Sequence, residues 1–145
     1  MSLKSTIYIS LEVLDNAPLV QFVKTKCDVR GKTIHCNHAT QVFLGRKSKS
    51  PDKLKFKVVE AGIKCTVSID ALVVNKKNKS AAFHVSNCVT SNGEKVVFST
   101  GKPHITALVA PPSKPKDSLR YVDRRDDSVL VFPCEFEVNT MCKWV

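Results

Sequence analysis

His38-Ala39-Thr40 and His104-Ile105-Thr106 are the residues of this chain best equipped for chemistry, and each tripeptide runs into an apolar stretch, Val42-Phe43-Leu44 or Ala107-Leu108-Val109. On a strand, residues two apart share a face, so each tripeptide presents one imidazole and one hydroxyl together. Two such strands side by side would bring two imidazoles and two hydroxyls around a space about the size of a phosphate. An imidazole takes or gives a proton near neutral pH, and a Thr hydroxyl donates to a phosphoryl oxygen. That set can split a phosphodiester by paired acid and base chemistry, with no metal and no cofactor.

The elements that must carry the two tripeptides follow from pattern and turn signals. Residues 6 to 15 alternate as a strand and end at Asp15-Asn16; Pro18 to Cys27 suits a short helix opened by its proline. A second strand, about 34 to 44, carries the first tripeptide and stops at Gly45. Residues 46 to 53 form a basic loop, and 51 to 60 suit a second helix, with Ser50 as N-cap and Gly62 as terminator. Lys64 to Asn75 is the strongest strand pattern, followed by the turn Lys76-Lys77-Asn78-Lys79 and a return strand, Ser80 to Ser86. Asn92-Gly93 marks a further turn before Val96-Val97-Phe98 and the second tripeptide. Pro111 to Lys116 is a stiff basic loop, and two last strands are expected at 119 to 122 and 128 to 136. Long strands with at most two short helices predict an α+β domain.

The chain has 145 residues, 43% of them hydrophobic, which suits one domain over 1–145 with one compact core. Lys and Arg number 23 against 13 acidic residues, and the net charge of +10 favours anionic partners such as nucleotides or RNA. No run approaches the roughly 18 apolar residues of a membrane span, and the start alternates too cleanly for a signal peptide. The expectation is a cytoplasmic monomer. Six cysteines, several inside strand patterns, are expected as free thiols.

With their contexts, the two tripeptides resemble the signature of the 2H phosphoesterase superfamily, which carries two His-x-Thr/Ser motifs on facing central strands. Within it the chain is similar to the CNPase-like 2′,3′-cyclic-nucleotide phosphodiesterases. Phe43 stands three positions after Thr40, and Pro115 eleven after His104, as in that family. Lys102 holds the basic position before the second motif, and residues 66 to 74 are similar to the family's strand between the motifs. The resemblance implies a bilobal domain: two antiparallel sheets, pseudo-twofold symmetry and short flanking helices. The interval before His38 is shorter than in the family, which implies an abbreviated first helix and a more open cleft.

By that resemblance His104 is the base that activates water and His38 the acid that protonates the leaving 3′ oxygen, giving a 2′-phosphate. The residues alone leave the two roles interchangeable. Thr40 and Thr106 hold phosphoryl oxygens, Lys102 screens the phosphate and Pro115 edges the nucleotide site. Phe43 is a stacking platform if a bulge or strand end turns it to the His38 face, and core otherwise. His35 and His84 lack such context and suit structural or exposed positions.

Other chemistries have less behind them. Cys27, His35, Cys36 and His38 match no common zinc spacing. Scattered single glycines form no phosphate loop. Cys142 stands fourth from the end, as in a prenylation box, but Lys143 and Trp144 fit that box poorly, and the tail of a last strand suits it better. Two further functions stay open: a 2′-5′ phosphodiesterase acting on oligoadenylate or a cyclic dinucleotide, and an RNA-binding module without chemistry. Aromatic content of 7% offers the latter few stacking platforms.

Overall fold

A computed structural model describes residues 8–43 and 57–145. The elements run β1 (Tyr8–Val13), α1 (Ala17–Lys26), β2 (Thr33–Ile34), β3 (His38–Phe43), β4 (Lys64–Asn75), β5 (Ala81–Thr90), β6 (His104–Val109), a 3-10 helix (Pro115–Arg120) and β7 (Val129–Trp144). The α+β expectation holds at that level. All strands among the described residues join one seven-stranded antiparallel sheet in the order β2-β6-β5-β4-β7-β1-β3, where two sheets were expected. The cause is the long β4–β7 ladder, which runs from Lys64 opposite Met141 to Asn75 opposite Val129 and leaves no break between halves.

The order is symmetric about that ladder. Outward from β4 come β5 and β6; outward from β7 come β1 and β3, each step antiparallel, with β2 added beyond β6. Thus each half ends in a strand bearing one His-x-Thr tripeptide. The ends also meet: residues 33–36 hydrogen-bond to β6, whereas from His38 the chain pairs with β1, and β3 lies against β6. The crossing happens at Cys36, whose φ of +57° is a left-handed turn that divides the single strand expected over 34–44.

One sheet face carries the main core. Ile9, Leu11, Ala39, Val67, Phe83 and Ile105 are buried there with Leu19 and Val23 of α1. Leu19 and Val23, one helical turn apart, are the inward stripe of α1. Asp15 Oδ1 accepts the Ala17 N–H at 3.1 Å, Pro18 sits in the first turn, and Lys24 and Lys26 occupy the last. Phe22 meets Phe136 edge-on, with centroids 5.4 Å apart. The opposite face carries the tripeptides and a smaller core, in which Tyr121 and Val122 cover Ala71, Val73, Ala82 and Val129.

The covering segment corrects the strand expected at 119–122. Pro115 opens a 3-10 turn, Asp117 Oδ2 accepts the Lys114 N–H at 2.9 Å, and the Ser118 carbonyl takes the Tyr121 and Val122 N–H groups. Local bonds thereby use the groups a ladder would need. Of the two last strands expected, only the second forms, as β7, which continues through Cys142; that thiol is buried and lies 3.4 Å from the Val59 carbonyl. All six cysteines are free, and burial pushes the Cys36 and Cys142 thiols up to about 12. The basic loop expected at 46–53 and residues 51–56 of the expected second helix lie outside the described residues, while 57–60 are irregular. No helix among the described residues is long and apolar enough to cross a membrane.

Candidate active site

Each tripeptide strand carries the same irregularity. In β3, His38, Ala39 and Thr40 lie opposite Glu12, Leu11 and Ser10, then Gln41 is skipped before Val42 pairs with Ile9. In β6, His104, Ile105 and Thr106 lie opposite His84, Phe83 and Ala82, then Ala107 is skipped before Leu108 pairs with Ala81. A bulge therefore follows the Thr in both motifs. A bulge re-aims the side chains beyond it. In β3 it puts Val42 into the core and turns Phe43 to the His38 face, where Phe43 is 63% exposed. Phe43 is thus not core, and it stands opposite Tyr8, whose ring stacks on His38 with centroids 6.1 Å apart.

The two histidines come together through β2. Ile34 pairs with Leu108, and the Cys36 N–H bonds to the Thr106 carbonyl at 2.9 Å. From His38 the chain pairs with β1, yet β3 still lies against β6. The rings are near enough that charge on His38 lowers the proton affinity of His104. Neither ring lines the cleft of about 670 Å³ or the cavity of about 160 Å³ found elsewhere on the molecule. Both rings are half-buried.

Burial pushes both imidazoles below their ordinary value near 6.5, and the next influences separate them. At His38 the Glu12 carboxylate opposes the shift, and charge on His35 adds to it. At His104 a hydrogen bond between Nδ1 and the Lys102 carbonyl, 2.9 Å long, opposes it. Since a carbonyl only accepts, Nδ1 must carry the proton, and Nε2 is left as a lone-pair base. His104 therefore suits the base and His38, with an acidic neighbour, the acid.

The remaining expected residues take definite places. Thr106 Oγ1 donates to the Pro115 carbonyl at 3.3 Å and lies 3.0 Å from Ser118 Oγ, so Pro115 does border the second motif. Lys102 is tied down: its Nζ bonds to the Leu119 carbonyl at 3.3 Å and pairs with Asp123 at 3.7 Å. Its carbonyl, by holding His104, is the part that touches the site. Thr40 is half-buried opposite Ser10, whose buried hydroxyl has no partner among the described residues.

His84, expected to be structural or exposed, and Asp70, which the sequence did not single out, both stand beside the site. His84 lies directly across from His104, and its Nδ1 is 2.7 Å from Asp70 Oδ1. Asp70 reaches it because it is the residue skipped between Ile69 and Ala71 in both ladders of β4, opposite the interruption after Pro133 in β7. A third imidazole thus stands on the same surface, held by a carboxylate. Asp70 continues the outward polar positions of Thr66 and Ser68 in β4, so the one hint lay far along the chain, at Pro133 of the partner strand. Among the described residues no three His, Cys, Asp or Glu side chains converge as metal ligands. No protein-family model, curated protein or solved structure matches the chain.

Proposed function

We propose that the protein is a metal-independent phosphodiesterase of the 2H type, which opens 2′,3′-cyclic phosphates of nucleotides or RNA ends to 2′-phosphates. The observation that supports this most is the twinned motif: two His-x-Thr strands, each bulged after its Thr, at opposite ends of one sheet whose curl brings the ends together. Core packing alone gives no reason for the outward-facing halves of two strands to repeat the same four-residue geometry.

In this reading His104 Nε2 takes a proton from water as the water oxygen bonds to phosphorus. The P–O3′ bond breaks, and protonated His38 gives its proton to the 3′ oxygen, so the pair ends with its protons exchanged. Water must return one proton and take the other before the next cycle. Thr40 and Thr106 stabilise the charge that develops on the phosphoryl oxygens. For Thr106 this exchanges a bond to the Pro115 carbonyl for a charge-assisted and stronger one. Phe43, exposed on the same face, offers its ring to the base.

Product analysis with 2′,3′-cyclic AMP tests the reading. The expected product is the 2′-monophosphate, formed equally well with a chelator present, and His38→Ala or His104→Ala lowers kcat by about 100- to 10,000-fold. A 3′-monophosphate, or undiminished turnover in both variants, overturns it.

A further inference from the structure

A second feature of the tripeptide face is a cleft of about 670 Å³ between the β4–β5 turn and the 3-10 helix. Lys76 and Lys77 line it from the turn, and Arg120 and Arg124 from the far wall, against one acidic side chain, Asp117. All four cations are exposed. Their acidic neighbours hold them weakly: Arg120 is 3.8 Å from Asp117, and Arg124 is 3.9 Å from Asp126. Exposed pairs of that length contribute little and leave the guanidinium groups free to meet another anion.

One 3-10 helix stands between the cleft and the candidate site: its Asp117 and Arg120 line the cleft, and its Ser118 and Pro115 contact Thr106. Thr106 lies opposite Ala82 and Ala82 opposite Val73, and Lys76 is three residues beyond Val73, about 10 Å at 3.3 Å per residue. A few nucleotides cover that distance, since each rises about 3.4 Å when stacked and more when extended. A mononucleotide held at His38 and His104 does not reach Lys76. A strand that ends there does.

We propose that this cleft binds the sugar-phosphate backbone of single-stranded RNA whose 3′ end occupies the histidine site, so that the preferred substrate is an oligonucleotide end and not a free nucleotide. The proposal rests on the phosphodiesterase reading for its end group. The charge and the volume rest on the cleft alone. Arginine forks suit phosphate oxygens in two-point contacts, and lysines supply the point charges that follow a flexible backbone.

The experiment compares a fluorescent oligonucleotide ending in a 2′,3′-cyclic phosphate with 2′,3′-cyclic AMP, using wild type and a Lys76→Ala, Lys77→Ala, Arg124→Ala variant. The variant is expected to bind the oligonucleotide at least tenfold more weakly, with a salt slope lower by about 0.7 for each phosphate that is no longer neutralised. Its kcat/KM for the oligonucleotide falls in parallel, and its kcat/KM for 2′,3′-cyclic AMP stays unchanged. Equal oligonucleotide binding by both proteins overturns the cleft while leaving the enzyme reading intact. If wild type turns over neither substrate, the enzyme reading fails, and the binding comparison still decides the cleft. Circular dichroism of the variant should match wild type, because all three changes are at exposed positions.

Discussion

Glu12 is the residue that separates two otherwise similar imidazoles. It lies opposite His38 on the neighbouring strand and works against the burial that strips His38 of its proton. Replacing it by Gln removes that support, so the proton on His38 is lost at lower pH. The alkaline limb of the kcat/KM profile should therefore move to lower pH in Glu12→Gln, with loss at pH 7.5 and recovery as the solution is acidified. The acid limb, set by protonation of His104, should stay. A profile superimposable on wild type would remove Glu12 from the site. At this scale the sequence was partly legible. His38, Thr40, His104 and Thr106 declare themselves by type and repetition, whereas Glu12, Asp70 and His84 enter only through strand register. Register depends on bulges, and no local pattern marked those at Gln41, Asp70 or Ala107.

Elements legible in the sequence were those whose burial follows a simple period. Helix α1 and strand β4 lie within a residue or so of where apolar spacing, Pro18 and the Lys76–Lys79 turn put them. The strand over 34–44 is divided into β2 and β3, and the strand at 119–122 is replaced, because long-range or capping hydrogen bonds outweighed local alternation. The β3 bulge shows how costly such bonds are to remove. Gln41 is fully buried; its Nε2 donates to the Val97 carbonyl at 2.6 Å and to the Lys57 carbonyl at 3.3 Å, and its Oε1 accepts the Val59 N–H at 3.2 Å. One amide satisfies three backbone groups of two other segments. Gln41→Ala leaves those groups without their partner, and unsatisfied buried polar groups cost about 1–3 kcal/mol each. Urea unfolding should show a loss of at least about 2 kcal/mol. Ala107, at the equivalent place in β6, is buried but tethers nothing by its side chain, so Ala107→Gly should cost about half that or less. Equal effects at the two bulges would mean that Gln41 is merely a filler.

At the scale of the whole molecule, the pseudo-symmetric pairing order puts one imidazole in the last or next-to-last strand at each end of a single sheet, and folding buries both rings. Folding is therefore linked to proton release. In the unfolded chain each imidazole binds a proton near its ordinary value of 6.5; in the folded chain burial pushes that value down. Below pH 6.5 the unfolded state binds protons that the folded state resists, so this contribution to stability is complete above that pH and is lost as the pH falls toward the folded values. Carboxylates titrate lower, which leaves the interval from about pH 7.5 to 5.5 mainly to histidine. The urea midpoint of wild type should decline across that interval, and a His38→Gln, His104→Gln variant, which cannot titrate at either position, should show a flatter decline. An anion seated between the rings favours their protonated forms in the folded state, so phosphate should restore part of the wild-type midpoint at about pH 5.5 and little of the variant's. A double variant that loses stability as steeply as wild type would mean that the two rings are not jointly buried, and the shared surface on which the catalytic reading depends would go with them.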